Sequence, residues 1–399
     1  MEKRQVQIMA IITAICLLGD SMLYVVLPTH WKEIGLASLW EVGILLSVNR
    51  FIRLPMNPVI SWLFMKLSRR TGIILAIVLT IMTTSSYGLF SSFWILVLMR
   101  CLWGVAWSFL RIGSYLMITD LSTDENRGHY MGTFNGLYRL GSLFGMVIGG
   151  IFADLAGLYM VSLVFAGAAL CALPLVFLLS DPARGYVPQV GRAHTLQVFK
   201  NPPVLGVLTT GLFLNMLFQG LFVAVLSHLI DTRYPMITIV GLTLGAATLA
   251  GIMQGIRWGW EPILAPVFGK VSDGMGRKKA LTIALFITSV IFALVPLQVP
   301  MVLWLIILLG VQMSATLITT VIDALALDMA KKEWKGAVTT SYIIATDLGS
   351  AIGPTLGYFL LASIGLESMY WGAAALLLVV SIIWWSVRDT KKASVPMAQ

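Results

Sequence analysis

Charge is scarce in this chain. Asp, Glu, Lys and Arg make up 11% of its 399 residues, while 58% are hydrophobic. A soluble domain carries about 25% charged residues, so a water-soluble fold is excluded. Cysteine is almost absent: Cys16, Cys101 and Cys171 all sit in apolar stretches, which rules out a disulfide framework and leaves no metal-ligand spacing. There is no nucleophile–base motif, phosphate loop or metal cluster, so nothing supports an enzyme and no cofactor is expected. Strict apolar–polar alternation is missing, which argues against a membrane barrel. Asn-x-Ser/Thr sequons are absent too and the polar connections are short, which points to a bacterial inner membrane.

What the chain has is long apolar segments. A span needs about 20 apolar residues. Twelve segments qualify, near 8–28, 41–65, 72–90, 93–119, 130–154, 158–179, 204–230, 240–268, 280–298, 301–326, 338–363 and 368–387. Backbone groups in lipid must be satisfied internally, so these are helices. The expectation is an all-α membrane protein of 12 transmembrane helices. The first segment is too long for a signal peptide, contains Asp20 and lacks a small-residue cleavage site, so it reads as a retained helix.

The net charge of +9 is a topology signal. Basic residues cluster at alternate ends of the segments, among them Arg69, Arg70, Lys278, Lys279, Lys331 and Lys332. The opposite loops carry only Lys32 and Arg233. That bias predicts cytoplasmic termini and argues against nucleic acid as a partner. The longest polar connection, Pro- and Gly-punctuated, divides the chain into residues 1–183, a cytoplasmic linker 184–203, and residues 204–399.

The two parts match at a fixed offset of 208 residues. Gly141, Gly145 and Gly149 align with Gly349, Gly353 and Gly357; Pro58 aligns with Pro266, and Arg69-Arg70 with Arg277-Lys278. A duplicated membrane protein of this kind predicts a transporter with its site between the repeats. Small residues four apart let helices approach closely. The two glycine runs are therefore expected to form the moving contact between repeats, with Pro354 adding a kink.

Several motifs carry a resemblance. Gly269-Lys-Val-Ser-Asp273-Gly-Met-Gly276-Arg277-Lys278-Lys279 is similar to the loop signature of the major facilitator superfamily, with Gly274 where an Arg is usual. The equivalent first-repeat loop is degenerate, with Ser61 and Met65 in place of Gly and Asp. Arg100-Cys-Leu-Trp-Gly104 resembles the family's Arg-x-x-x-Gly element. Gly132, Gly141, Gly145 and Gly149 have the spacing of its antiporter signature, although Met146 stands where Pro is usual. The resemblance spans the chain. It implies two pseudo-symmetric six-helix bundles, and a latch in which Asp273, with Gly276 and Arg277, faces the start of the fifth segment near Arg127 and His129.

Ten charges lie inside the segments, clear of their end residues: Asp20, Arg50, Arg53, Arg100, Arg111, Arg139, Arg257, Glu261, Asp323 and Asp347. Each costs about 2.5–3.5 kcal/mol at a span centre, so they must face a wet cavity or one another. The repeat lays Arg53 on Glu261 and Arg139 on Asp347, so opposite charges pair across the axis or line its two walls. Six arginines against four carboxylates favour a substrate with an anionic part. Arg50, Arg53, Arg100, Arg139 and Arg257 are the expected cavity cations. Asn49, Asn57, Asn215 and Gln219 are added polar candidates, and Trp103 and Trp258 candidates for an apolar lining. Asp20, Glu261, Asp323 and Asp347 are candidate proton carriers. For Asp20 the alternative is a permanent Asp–Arg pair with Arg50 or Arg100.

The expected function is proton-coupled export of a small amphiphilic or anionic compound by a monomer in the bilayer. Uptake by symport, or a membrane sensor that transports nothing, are the other readings.

Overall fold

The computed structural model describes residues 2–123, 126–180, 201–234, 236–239, 242–328 and 335–386. They form α1 (Glu2–His30), α2 (Leu39–Leu63), α3 (Arg69–Ser85), α4 (Phe93–Leu121), α5 (Arg127–Leu170), α6 (Ala172–Val176), α7 (Pro202–Asn215), α8 (Val223–Arg233), α9 (Ala246–Met275), α10 (Arg277–Leu294), α11 (Met301–Asp328) and α12 (Lys335–Ser386). A π-helical stretch, Met216–Phe222, joins α7 to α8. The linker expected at 184–203 lies, up to residue 200, outside the described residues.

Among the described residues, seven helical stretches are long and apolar enough to cross a membrane. Neither α2 nor α9 reaches that measure. These two occupy matching places in the repeat and carry Arg50, Arg53, Arg257 and Glu261, with two prolines in each. One segment expectation needs correction. Residues 242–245 are not helical but form strand β2 (Leu242–Gly245), antiparallel to β1 (Met236–Ile239), and α9 starts only at Ala246.

The duplication is visible in the backbone. Both α5 and α12 are interrupted by one glycine at positive φ, Gly157 (φ 79°) and Gly365 (φ 76°), again 208 residues apart. Only glycine takes this conformation without a Cβ penalty. Each helix is therefore broken at the same point of its repeat.

The glycine runs do not join the repeats, which corrects the expectation above. Gly141 and Gly145 pack against Ala14 and Leu18 of α1, and Gly149 against Met22. Gly349 and Gly353 pack against Leu212 and Met216, and Gly357 against Leu221. Each run thus fastens two helices of its own repeat. A Cβ on Gly145 would lie 2.6 Å from Leu18 O, so side chains are excluded there.

Other glycines join the repeats. Gly150 meets Ala247 of α9, Gly251 meets Met146 of α5, and Gly43 of α2 meets Pro354 and Thr355 of α12. Thr355 N donates to Ser47 Oγ at 3.1 Å. Asp154, at the same end of α5, accepts from Thr248 N (2.7 Å) and Thr248 Oγ1 (2.5 Å). Thr248 N is one of the donors left unpaired at the start of α9, and a carboxylate there favours the positive end of the helix. His30 lies 4.0 Å from Asp154 and 3.8 Å from Glu33.

The other end is open. Gly132 and Gly136 of α5, and Gly259 and Gly269 of α9, have no neighbour against a would-be Cβ. The cores agree. Apolar residues of both repeats form one continuous cluster, which the first repeat joins at its His30 end, from Met22–Leu27. At the opposite end the first repeat has a cluster of its own, including Val6, Phe64, Leu110 and Phe134.

Gly150→Leu should break this closure, because a Cβ there would lie 2.5 Å from Ala247 O. Amide exchange at Thr248 and its neighbours should then rise about tenfold or more, as the capped helix start loses its acceptor. Unchanged exchange would show that the contact does not hold the end shut.

Candidate functional site

Between the repeats lies a chamber of about 290 Å³. From the first repeat it is lined by Asp20, Ser21 and Tyr24 (α1), Arg50 and Arg53 (α2), Trp107 and Arg111 (α4), and Tyr138, Arg139 and Ser142 (α5). The second repeat adds Asn215, Gln219, Gln254, Trp258, Asp347 and Ser350.

Two ion pairs cross between the repeats here. Arg139 Nη1 lies 3.1 Å from Glu261 Oε1, and Arg111 Nη1 lies 3.4 Å from Asp347 Oδ2. Opposite charges do pair across the axis, but not as the repeat alignment suggested. Rotating Arg139–Glu261 onto its mate would give Asp347–Arg53, and Arg111 stands in that place. All four side chains are partly exposed, at 47% for Arg139 and 22–31% for the others. Such pairs exchange easily.

Asp20 is paired with Arg100. Arg100 Nη1 donates to Asp20 Oδ1 at 2.5 Å, Arg100 Nε to Leu45 O at 2.8 Å, and Asn49 Nδ2 to Asp20 Oδ1 at 3.4 Å. Asp20 faces the chamber on one side and this buried network on the other. Arg100, Asn49 and Trp103 were expected to line the cavity; they do not. They are 2%, 0% and 2% exposed and lie behind α1, inside the first repeat. Arg257 is likewise off the chamber, 1% exposed, with Trp258 stacked 5.8 Å from its guanidinium. Asn57 is not in the chamber wall. Asp323 accepts from the Tyr342 hydroxyl at 2.6 Å within the second repeat, also away from the chamber.

Arg50 has a distinctive role. It donates to Ser350 O at 2.9 Å and to Gln219 O at 3.3 Å, both in the second repeat. Pro354 lacks the N–H that would have bonded to Ser350 O, so that carbonyl is free. Gln219 sits in the π-helical stretch, where the regular ladder is also broken. Arg50 thus bonds one carbonyl that a proline leaves free and one within the π-helical stretch, and lies 5.3 Å from the Tyr24 ring.

Asp273 pairs with Arg277 at 2.8 Å, and Arg277 also with Asp328. Asp273 is 60% exposed and its pairing is with α10, at the end where the repeats are apart. Of the two residues expected to face it at the start of α5, His129 makes no ion pair or hydrogen bond with Asp273 among the described residues, and the Arg127 side chain lies outside them. Gly276, at φ 90°, forms the turn between α9 and α10.

Sequence reasoning missed Tyr24, Tyr138, Ser142 and Ser350, which carry no charge to mark them. It also missed Asp154 and Thr248. An acidic residue in the turn of α5 that precedes Gly157, aimed at the first turn of α9, was the available signal.

The family model for the Major Facilitator Superfamily matches residues 9–260 and 262–398. The chain belongs to this superfamily. It is 26% identical over 384 residues to multidrug resistance protein MdtG of Proteus mirabilis, covering 92% of this chain and 91% of that protein. With the Citrobacter koseri protein of the same name, identity is 24%, covering 90% and 89%. Among solved structures, the fold matches nucleoside transporter NupG with a TM-score of 0.77 at 14% identity, covering 97% and 100%. It also matches a bacterial homolog of the human lysosomal transporter Spinster, in an inward-facing occupied conformation, with a TM-score of 0.76 at 13% identity, covering 95% of each. The protein is therefore a membrane transporter of the superfamily and not an enzyme.

Removing one partner of a buried pair costs about 3–5 kcal/mol, because the other charge stays buried. Asp20→Ala should therefore lower the melting temperature sharply. The double variant Asp20→Ala/Arg100→Met should recover most of the loss. No recovery would mean that Asp20 stabilises the fold other than by neutralising Arg100.

Proposed function

We propose that the protein is a proton-coupled exporter of a small amphiphilic or anionic organic compound, working by alternating access. In this reading it crosses the bacterial inner membrane twelve times as a monomer, in two six-helix bundles at 1–183 and 204–399, with both termini cytoplasmic. A helix of 44 or 52 residues, the lengths of α5 and α12, is far longer than the roughly 20-residue span of a bilayer. The turns at Gly157 and Gly365 accordingly make each of them two crossings. The charge bias puts the His30 end outside, so the conformation described is open to the cytoplasm.

The observation that carries the proposal is the chamber itself. It lies between the repeats, sealed at one end by glycine contacts and the Asp154–Thr248 cap, and its walls hold ion pairs that span the repeats. Export is supported by the name of the multidrug resistance relatives. Proton coupling rests on Asp20, a carboxylate that faces the chamber while holding Arg100 behind it. Protonation from the chamber would cancel the charge that Arg100 is paired with and loosen α1 from α4. Glu261 and Asp347 are further proton carriers, each released when its cross-repeat arginine moves away. Asp273 acts as the latch of the state closed to the cytoplasm, where α9 and α5 approach.

Purified protein in proteoliposomes should show substrate-dependent pH change across a compound panel. Asp20→Asn, which keeps the shape and an acceptor for Arg100, should abolish accumulation driven by a proton gradient. If Asp20→Asn still concentrates substrate at the wild-type rate, Asp20 is not the coupling group.

A further inference from the structure

The arginines of the chamber can be sorted by what already occupies them. Arg111 and Arg139 each hold a carboxylate, and Arg50 holds two backbone carbonyls. Arg100 and Arg257 are not in the wall. That leaves Arg53. It lines the chamber, makes no hydrogen bond or ion pair to any described residue, and has a buried Nε without an acceptor. Its guanidinium carbon lies 5.5 Å from the Trp107 ring. A cation held over an aromatic ring, with its donors unoccupied, is a site for a planar or tetrahedral anion.

A second space adjoins the first. Where α5 and α9 diverge below Gly150, a cleft of about 360 Å³ opens, lined by Leu140, Leu143, Pro262, Ala265 and Pro266. It shares Arg139 and Trp258 with the chamber. Arg139 lies 5.6 Å from the Trp258 ring while bonded to Glu261. The two spaces thus share the Trp258 indole and one arm of a neutralised ion pair, against which an apolar body can lie.

We propose that chamber and cleft form one binding site for a single-chain anionic amphiphile. Its anionic group sits on Arg53, and its apolar body lies past Trp258 between α5 and α9. This deepens the transporter reading and rests on it. The anion completes the pairing of the one chamber cation that has no acceptor among the described residues, and the chain covers apolar surface left exposed by the divergence of the two helices.

The test is equilibrium binding to the full-length protein in phosphatidylcholine nanodiscs, corrected for uptake by empty nanodiscs. The probes are octanoate, dodecanoate, dodecanol and dodecylamine. Dodecanoate should bind about tenfold or more tightly than dodecanol, the range expected for charge-assisted hydrogen bonds. Arg53→Gln should erase that preference while dodecanol binding, which reports an intact fold, persists. Arg53→Lys should restore it in part. Gly136→Leu, where a Cβ meets nothing within 4 Å, places a side chain in the cleft; it should weaken dodecanoate and spare octanoate. Equal binding of dodecanoate and dodecanol by wild type would overturn the proposal. So would tighter binding of dodecylamine, or equal weakening of both chain lengths by Gly136→Leu. Phosphatidylglycerol nanodiscs should leave dodecanoate affinity unchanged; strong competition would replace the single-chain ligand with a membrane lipid. Binding uses no gradient, so failure here leaves proton-driven export standing, and failed export leaves this site standing.

Discussion

A charge inside hydrocarbon must be matched, and much of this structure follows from how the matches are made. The Asp20–Arg100 pair is wholly internal to the first repeat. It ties α1 to α4 through one hydrogen bond and to α2 through Leu45 O. The Arg139–Glu261 and Arg111–Asp347 pairs instead run between repeats and are partly exposed. Internal pairs fix each repeat as a body, because breaking them leaves a stranded ion. Pairs across the chamber are solvated enough to part at small cost. The difference in burial separates the pair that holds one repeat together from the pairs that run between repeats.

Glycine makes the same separation by shape. The matched runs at Gly141–Gly149 and Gly349–Gly357 bring α5 against α1, and α12 against the α7–α8 rod, so closely that a Cβ on any of these glycines would press on its neighbours. These contacts stay inside a repeat. Contacts between repeats come from Gly43, Gly150 and Gly251, all at the His30 end. Arg50 joins them through the carbonyl that Pro354 leaves free and through Gln219 O in the π-helical stretch. A helix interruption in one repeat thus becomes a hydrogen-bond partner for the other, and the seal depends on backbone geometry as much as on side-chain chemistry.

The sequence was legible in its repeat and its depth, and illegible in its rotation. The 208-residue offset, the helical character and the family were all readable, and Gly157 and Gly365 reproduce the offset in their backbone angles. Spacing of small residues says that helices approach closely but not which helix is the partner, so the glycine runs were given to the wrong interface. Likewise an intramembrane charge announces its depth but not the side of the helix on which it lies. Arg53 and Arg100 looked alike in sequence; one faces the chamber and the other faces α1. Residues 242–245 read as helix because an apolar run has no mark that separates a short strand from the start of a span. Ser350 was recoverable in principle, since a proline four residues on always frees a carbonyl.

The central claim is that the repeats move as bodies about the chamber, closed at one end only. Pairs of spin labels answer it directly: one pair at Ala37 and Gln298 on the His30 end, the other at Leu67 and Lys279 on the opposite end. Inter-spin distances measured with and without a proton gradient should change in opposite directions, the His30-end pair lengthening as the other shortens. Distances that stay fixed, or that rise and fall together, would contradict the account.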